Sequence, residues 1–332
     1  MYAVRLHEFG PPENLRYERV EDPSPGAGQV RIKVAACGVH RVDTVLRAGS
    51  YTAGPIPAPE LPTIPGREVA GTVDALGPGT DARWLGRRVV AHLGMVPGGY
   101  AELAVADTAR AHHLPDGLAF PEAVAMIGTG RTTIGILRQA GLRAEDTVVV
   151  LAAAGGIGTL LVGYARGLGA AVAGVAGGPV KTDRVRELGA DLAVDYLRPD
   201  WTGRLREHFG TDRPATVVFD AVGGAVGRDA VGLLAPGGRH LMYGWAAGDG
   251  PAVFAEGELE ALGVTSATAV GPAMQRFIGT PEGLRDIEAE ALRAAAEGGL
   301  VPAVQTFPLA RAASAHAALE GRGTMGKVVL IP

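Results

Sequence analysis

A glycine-rich turn between a buried strand and an amphipathic helix restricts the fold of this chain more than any other feature. The strand is predicted at Thr147–Leu151, and the turn that follows has the sequence AAAGGIG over residues 152–158. Apolar residues then recur at helical spacing and give the next segment one apolar face, at positions Ile157, Leu160, Leu161, Tyr164 and Leu168. This succession is typical of the first strand, turn and helix of a dinucleotide-binding domain.

Glycine at several positions of this turn can be explained by the binding of a pyrophosphate. They let the chain bend sharply, let a pyrophosphate approach the backbone and let the helix pack close to the sheet, while the helix N-terminus supplies N–H groups. We therefore predict that Gly155, Gly156, Ile157 and Gly158 hold a pyrophosphate. The pattern here is A-x-G-x-x-G, which alone is weak, and a ligand-free glycine cluster at a helix start is the alternative.

Strands and helices alternate after this turn. The predicted strands are Ala171–Ala176, Asp191–Tyr196, Ala215–Ala221 and Arg239–Trp245, the last following a turn at Pro236-Gly237-Gly238, and the predicted helices include Lys181–Leu188 and Asp200–Phe209. Alternation at this spacing indicates a parallel sheet covered by helices on both faces. We predict an α/β fold in which this part is a Rossmann doubly wound sheet.

The first ~115 residues have a different character, with short segments rich in branched residues and bounded by Gly and Pro. The predicted strands there are Gln29–Ala35, Val69–Ala75, Arg87–His92 and Tyr100–Val105. The proline-rich stretch Gly54–Pro65 is predicted to be a loop. These features favour a small barrel or sandwich. Near the C-terminus, helices are predicted at Leu284–Glu297 and Ala310–Leu319, and a strand at Lys327–Ile331.

The choice of cofactor depends on the end of the strand Ala171–Ala176. An NAD site needs an acidic residue about 20 residues after the glycine turn, to accept a hydrogen bond from the ribose. Here the chain continues with Gly177, Gly178 and Pro179 and has no carboxylate before Asp183. Small residues leave room for a 2′-phosphate, and Lys181 can neutralise it, although Lys181 can also be an ordinary exposed lysine. We predict NADPH, with Gly177 and Lys181 on the phosphate side.

Composition excludes several classes of function. The net charge is −4 without a run of like charges, so nucleic-acid and anionic-membrane binding have no electrostatic support. The N-terminus does not resemble a signal peptide, and the longest apolar stretch, residues 148–157, is shorter than the ~20 residues of a membrane span. A single cysteine, Cys37, excludes an internal disulfide and fits a reducing compartment. We expect a cytoplasmic protein.

Motifs spread over nearly the whole chain then carry a family resemblance: AACGVHRVDTVLRAGSY, LPTIPGREVAGTV, GGYAELAV, AAAGGIG, FDAVGG and GKVVLIP. In this order they resemble the medium-chain dehydrogenase/reductase superfamily, in its zinc-free, zeta-crystallin-like quinone oxidoreductase branch. The resemblance implies a GroES-like catalytic domain over 1–117 and 268–332, and a Rossmann NADPH-binding domain over 118–267. It also implies an active site in the cleft between the domains and a homo-oligomer, which we expect to be a homodimer.

Zinc-dependent members of the superfamily place a Cys in a CGxC-type segment, a His in a PGHE-type segment and four Cys in a structural lobe. The corresponding segments here are Cys37-Gly38-Val39-His40 and Pro65-Gly66-Arg67-Glu68, and one cysteine cannot build a four-Cys site. Arg67 has no lone pair to offer a metal. His40 and Glu68 remain possible ligands, but two are too few for a catalytic zinc. We predict no metal.

The resemblance also implies the reaction and the site residues. Without a metal, an electron-poor acceptor such as a quinone or activated enone is expected, with an enoyl-thioester reductase or an inactive nucleotide-binding protein as alternatives. His40, Tyr51 and Thr132 are the expected catalytic residues; structural roles for the first two, and Thr129 in place of Thr132, stay open. The remaining expected cofactor contacts are Tyr196, Val222, Gly223, Tyr243, Gly244, Trp245 and Lys327.

Overall fold

The computed structural model describes residues 1–50, 58–94, 97–246, 248 and 250–332, apart from the side chain of Phe277. Within them the strands are β1 (Tyr2–Leu6), β2 (Leu15–Arg19), β3 (Gln29–Val39), β4 (Glu68–Leu76), β5 (Arg88–His92), β6 (Leu103–Asp107), β7 (Ala111–His113), β8 (Thr147–Leu151), β9 (Ala171–Ala176), β10 (Leu192–Asp195), β11 (Ala215–Asp220), β12 (Leu234–Met242), β13 (Thr265–Thr268), β14 (Val304–Pro308) and β15 (Lys327–Ile331). The α-helices are α1 (Arg41–Ala48), α2 (Phe120–Ala125), α3 (Arg131–Ala140), α4 (Gly156–Leu168), α5 (Pro179–Glu187), α6 (Trp201–Phe209), α7 (Gly224–Val231), α8 (Glu258–Leu262), α9 (Pro272–Ile278), α10 (Pro281–Ala296) and α11 (Ala312–Glu320), and a π-helical turn covers Met126–Gly130.

The chain forms two compact units. The first comprises Met1–Gly130, Glu288–Gly298 and Pro302–Pro332, and the second comprises Arg131–Ile287 and Gly299–Val301. The division of the chain at 117/118 and 267/268 stays a prediction about domains, because compactness alone does not define a domain.

The first unit is built on a largely antiparallel sheet with the strand order β14-β15-β3-β4-β5-β7, and β6 pairs with the first half of β3. Strand β3 is long and central, and buried and less buried side chains alternate along its first half, as expected for a strand with one face on a core. Its fully buried members include Val30, Ile32 and Cys37. The C-terminal strand β15 is antiparallel to β3 and brings Val328 opposite Val39, so the last strand of the chain lies in the same sheet as β3.

The second unit is a parallel sheet with the strand order β10-β9-β8-β11-β12-β13. Its central strands are apolar throughout, and Val148, Val149 and Val150 are fully buried because helices cover a parallel sheet on both faces. The strand order reverses direction between β8 and β11. In doubly wound sheets this reversal opens a crevice at the carboxyl ends of the strands, where ligands bind.

The α/β class and the parallel sheet are confirmed, while several predicted limits are wrong. The strand predicted at Arg239–Trp245 begins at Leu234 and ends at Met242, because the Pro-Gly-Gly segment is accommodated by a shift in register rather than by a turn. The strand predicted at Tyr100–Val105 begins at Leu103; Tyr100 instead follows the turn at Gly98 and accepts a hydrogen bond from Val4 of β1. Of the predicted loop Gly54–Pro65, residues 58–65 contain no helix or strand.

The sequence analysis did not predict the short helices α1, α2, α7, α8 and α9 or the edge strands β13 and β14. These elements are short, so their periodic patterns are weak. Among the described helices, none combines the length and the apolar content needed to span a bilayer.

Candidate functional site

The carboxyl ends of the parallel strands in the second unit carry most of the predicted cofactor residues. Gly155–Gly158 follow β8, Gly177 follows β9, Tyr196 follows β10, Val222 and Gly223 follow β11, and Tyr243–Trp245 follow β12. Parallel strands all end at the same edge of the sheet, so these residues, distant in sequence, meet along one rim. This rim includes the reversal between β8 and β11, where a ligand crevice is expected.

The glycine turn has the geometry of an anion site. Gly155 caps α4, and the N–H groups of Gly156, Ile157 and Gly158 have no acceptor among the described residues. A Cβ on Gly158 would lie 2.3 Å from the carbonyl oxygen of Ala152, so only glycine lets the helix approach the end of β8 this closely. Ala152 itself has a φ of +53°, in the left-handed region. The positive end of the α4 dipole therefore faces outward with unused donors.

The turn after β9 is narrow and held by a carboxylate. Gly178 has a φ of +86° and donates its N–H to Asp195 Oδ1 at 2.8 Å, and the N–H of Leu197 donates to the same oxygen at 3.0 Å. A Cβ on Gly177 would lie 3.0 Å from the hydroxyl of Tyr196, which places these two predicted residues side by side. Lys181 is the third residue of α5, directly after this turn.

The turn after β11 is fixed by a buried polar chain. Asp220 Oδ1 accepts the N–H groups of Val222 and Gly223 at 2.7 and 2.9 Å. Asp220 Oδ2 lies 3.1 Å from His240 Nε2, and His240 Nδ1 lies 2.8 Å from Ser266 Oγ. Asp220 and His240 are almost completely buried, so this chain ties the ends of β11, β12 and β13 together.

The segment after β12 contains an unpaired buried hydroxyl. Tyr243 Oη is buried and has no hydrogen-bond partner in the part of the chain that the structure describes. Burial, followed by the nearby Asp220 charge, raises the pKa of Tyr243. Gly244 follows directly, and Trp245 is half-exposed beside Gly223. Thr132 is half-buried on α3 of this unit. An orphaned hydroxyl at the rim is consistent with a polar ligand there, because buried polar groups are normally paired.

In the first unit, His40 forms a cluster with Glu68 and Lys327. Lys327 Nζ lies 2.8 Å from His40 Nε2 and donates to Glu68 Oε2 at 2.8 Å, and Glu68 Oε1 lies 2.5 Å from His40 Nε2. Glu68 is fully buried and the Lys327 side chain is 5% exposed, whereas the His40 side chain is 27% exposed. Burial alone would raise the pKa of Glu68, but electrostatic interactions with His40 and Lys327 outweigh it and hold that pKa well below its usual value.

Two glycines make room for the Glu68 carboxylate. A Cβ on Gly128, in the π-helical turn, would lie 1.6 Å from Glu68 Oε1, and a Cβ on Gly38, in β3, would lie 2.2 Å from Oε2. The same Gly128 position is 3.2 Å from His40 Cε1. Separate elements therefore leave a space shaped for one ionised side chain, next to the imidazole.

A second buried polar group holds the backbone of His40. Asp43 Oδ2 accepts the His40 N–H at 2.8 Å and the Tyr100 hydroxyl at 3.2 Å, and that hydroxyl lies 3.1 Å from His316 Nε2. The Arg67 guanidinium approaches Asp43 Oδ1 at 3.8 Å. Burial lowers the pKa of His316 to about 4, so this histidine is neutral near neutral pH.

Lys327, which the sequence analysis assigned to the cofactor, contacts His40 in the first unit, and Tyr51 lies outside the described residues. Sequence reasoning considered Glu68 only as a possible metal ligand and did not identify Asp43 at all. The Glu68-Lys327 pair has no sequence signal, since its members are 259 residues apart.

The donor set around His40 does not suit a metal ion. Cys37 is fully buried, and burial raises the pKa of its thiol to about 12, which keeps it from forming a thiolate. Arg67 is directed toward Asp43, and the nearest cation to His40 and Glu68 is the Lys327 ammonium. No group of three or more His, Cys, Asp or Glu side chains arranged to hold a metal occurs within the described ranges.

Comparison with known proteins identifies the family. Residues 26–116 match the alcohol dehydrogenase GroES-like domain, and residues 156–301 match the model named zinc-binding dehydrogenase. A quinone oxidoreductase of Pseudomonas aeruginosa is 34% identical over 331 residues, which cover 99% of each chain. A 2-haloacrylate reductase of a Burkholderia species is 31% identical, covering 99% of this chain and 98% of that protein. The structure of Escherichia coli quinone oxidoreductase complexed with NADPH covers 100% of both chains, with a TM-score of 0.85 and 28% identity.

The chain therefore belongs to the quinone oxidoreductase family of the medium-chain dehydrogenase/reductase superfamily. The resemblance inferred from the motifs and the GroES-like and Rossmann fold prediction are confirmed.

Proposed function

We propose that this protein is an NADPH-dependent oxidoreductase that reduces a quinone or an activated enone without a metal ion. The observation that carries the proposal is the glycine turn at the sheet reversal, with unused N–H donors at Gly156, Ile157 and Gly158. Two kinds of relative support the acceptor class, one named for quinone reduction and one for reduction of 2-haloacrylate, an electron-poor alkene.

NADPH rather than NADH is favoured by the turn after β9. That strand is followed by Gly177, Gly178 and Pro179, without a carboxylate. Asp195, at the end of the neighbouring strand β10, uses Oδ1 to accept two backbone N–H groups. Lys181 follows in the first turn of α5 and is the side chain we propose for the 2′-phosphate. A structure complexed with NADPH among the similar proteins agrees with this choice.

Metal independence is supported by what replaces the zinc ligands. His40 is engaged by a lysine, Arg67 brings a fixed positive charge, and the Cys37 thiol stays protonated in the core. A divalent cation would meet like charge there instead of a set of three donors. The zinc in the name of one matching family model therefore has no counterpart in these side chains.

The proposed mechanism uses the protein mainly for positioning. NADPH held at the glycine turn Gly155–Gly158 would supply a hydride to the conjugated acceptor, and one proton from water or a side chain would complete the reduction. His40 donates a hydrogen bond to the reducible oxygen and stabilises the negative charge that develops there. Because the acceptor is already electron-poor, this contact and the alignment of the reactants are sufficient.

The test is NADPH oxidation followed by absorbance with a panel of quinones and activated enones. Removal of the imidazole in His40→Ala should lower kcat/KM by 10²–10⁴-fold if His40 assists as a general acid. A loss below about tenfold, roughly 1.4 kcal/mol, would leave His40 as a packing residue with water as the proton source. Tyr51→Phe separates hydrogen bonding from ring packing at the other expected pocket residue.

Two controls accompany this assay. The NADPH dissociation constant of each variant should match the wild type, because neither residue is proposed to bind the cofactor. Elemental analysis of protein purified without chelator should show well under one zinc per chain. A stoichiometric zinc lost together with activity would contradict metal independence, and absence of turnover with every acceptor would favour the inactive nucleotide-binding alternative.

A further inference from the structure

Three polar side chains form a row across neighbouring strands of the parallel sheet in the second unit. His240 of β12 is in register with Ser266 of β13 on one side and with Val218 of β11 on the other. Asp220 follows Val218 by two residues, and residues two apart on a strand point to the same face of the sheet. Asp220 and His240 are almost completely buried, and Ser266 is half-buried on the last strand of the sheet. The row therefore runs from the edge of the sheet inward to the carboxyl end of β11.

His240 is held at both of its ring nitrogens. Nδ1 lies 2.8 Å from Ser266 Oγ, and Nε2 lies 3.1 Å from Asp220 Oδ2. Gly227 of α7 leaves space for that carboxylate oxygen, because a Cβ on Gly227 would lie 2.2 Å from it. Each nitrogen has a different partner, so the ring is fixed on both sides wherever its proton lies. A ring fixed in this way holds Asp220 Oδ2 in one position.

The other oxygen of Asp220 shapes the turn after β11. Oδ1 accepts the N–H groups of Val222 and Gly223 at 2.7 and 2.9 Å. Gly223 has a φ of +71°, and a Cβ there would lie 2.3 Å from the carbonyl oxygen of Gly250, so the turn is closely packed. If the carboxylate rotated, both N–H groups would lose their acceptor. The path of this turn therefore depends on the orientation that His240 gives to Asp220.

Strand order indicates which half of NADPH meets this turn. The glycine turn proposed for the pyrophosphate follows β8, and the residues proposed for the 2′-phosphate side, Gly177 and Lys181, follow β9. Strands β11 and β12 lie on the opposite side of β8 from β9. A dinucleotide bound across the reversal, with its pyrophosphate at β8, extends its nicotinamide half toward β11 and β12. The N–H of Tyr243, after β12, donates to the Asp220 carbonyl at 2.8 Å, so the turns after both strands are tied together.

We propose that His240 is a positioning residue for the nicotinamide half of NADPH. Through Asp220 it fixes the turn at Val222 and Gly223, and Ser266 holds its ring in place. Both carboxylate oxygens and both ring nitrogens have partners, and buried polar networks that are fully paired make the groups they connect rigid. The inference rests on the proposed function for the position of the cofactor. His240 acts through Asp220 and does not itself touch the cofactor.

Calorimetric titration with two ligands tests where the effect is felt. NADPH has both halves of the dinucleotide, whereas adenosine 2′,5′-bisphosphate has the adenosine half without the nicotinamide. In His240→Leu, Asp220 Oδ2 loses its partner, and the NADPH dissociation constant should rise at least about tenfold, the effect of losing one hydrogen bond to a charged group. The dissociation constant of the bisphosphate should stay nearly unchanged. An unchanged NADPH affinity, or an equal loss for both ligands, would overturn the proposal.

Rescue by a conservative variant separates positioning from a merely structural role. His240→Gln places an amide N–H toward Asp220 and should restore most of the NADPH affinity. The matched control is His112→Leu, which removes a buried histidine of the first unit whose Nε2 lies 2.9 Å from Glu288 Oε2. This control should bind both ligands like the wild type; a loss of NADPH affinity as large as that of His240→Leu would contradict the proposal. If His240→Leu does not fold, Ser266→Ala decides in its place, where a selective loss of NADPH affinity supports the proposal and its absence refutes it.

Amide hydrogen exchange of the protein without ligands gives a second readout. The N–H groups of Val222 and Gly223 should exchange faster in His240→Leu than in the wild type and regain their protection in His240→Gln. Unchanged protection in His240→Leu would contradict the role in the turn. If affinity and exchange behave as expected and no acceptor is turned over, the proposed function fails and the positioning role stands. If the wild type reduces quinones and His240→Leu binds NADPH equally well, the function stands and this inference fails.

Discussion

Gly128→Ala should destabilise the first unit, whereas a glycine-to-alanine change inside a helix normally stabilises a protein. The new methyl group would lie 1.6 Å from Glu68 Oε1, which no real pair of atoms can tolerate. The carboxylate has little room to move, because it is fully buried, its Oε2 packs closely over Gly38, and that oxygen accepts a hydrogen bond from Lys327 at 2.8 Å. The substitution must therefore push Glu68 away from Lys327 or distort the turn Met126–Gly130.

The magnitude follows from which of these costs applies. Separating a buried ion pair leaves an uncompensated charge and typically costs about 3–5 kcal/mol. Forcing an extra methyl group into a packed core costs about 1–3 kcal/mol when neighbours can adjust. Because the carboxylate has little room to move, we expect a loss of about 3–5 kcal/mol in the free energy of unfolding.

The assay is denaturant unfolding followed by circular dichroism, with Gly163→Ala as a matched control. Gly163 is inside α4, and a Cβ there would meet nothing within 4 Å, so this variant should gain about 0.5–1 kcal/mol. The mechanism is tested by repeating Gly128→Ala in a Glu68→Ala, Lys327→Met background, where the clash and the charges are both gone. There the cost should nearly vanish. The same penalty in both backgrounds would show that the methyl group collides with something other than the carboxylate.

Two other outcomes follow from single side chains. Lys181→Ala should weaken NADPH binding by about 1–3 kcal/mol and leave NADH binding nearly unchanged in a fluorescence titration, whereas an equal loss for both would show that Lys181 does not contact the 2′-phosphate. Burial lowers the pKa of His316 from 6.5 to about 4, so between these values the unfolded chain binds a proton that the folded chain does not. Stability should fall by roughly 3 kcal/mol as pH decreases across this window, and His316→Phe should reduce that slope; an unchanged slope would mean that His316 titrates normally.

The Rossmann part could be predicted well because its signals are local. Strands at Thr147–Leu151 and Ala171–Ala176 have the limits that the sequence indicates, since branched apolar residues are flanked by glycine and polar residues. The same local logic was wrong at residues 236–238, where Pro-Gly-Gly predicts a turn and the chain continues as β12. Pairing with β11 and β13 on both sides, with one register shift, outweighs the local preference there.

The candidate site was predictable only in part, for a physical reason. The glycine turn and His40 lie in contiguous motifs, so their positions could be found from the sequence. The partners of His40 come from distant parts of the chain, and antiparallel pairing of β3 with both β4 and β15 brings Glu68 and Lys327 beside it. Sequence patterns do not encode such pairing, and Gly128 gave no signal at all until the position of the carboxylate was known.

The surroundings of His40 also explain how its imidazole ring can be held in one orientation without the metal ion that zinc-dependent members of the superfamily have. A metal ion would fix the imidazole by a bond to one nitrogen; here Asp43 fixes the backbone and Lys327 fixes Nε2. Asp43 and Lys327 are both at least 95% buried, so water does not readily displace either of them from its contact with His40. The ring is thus oriented before a ligand arrives, and a preorganised donor stabilises developing charge without having to reorient during the reaction.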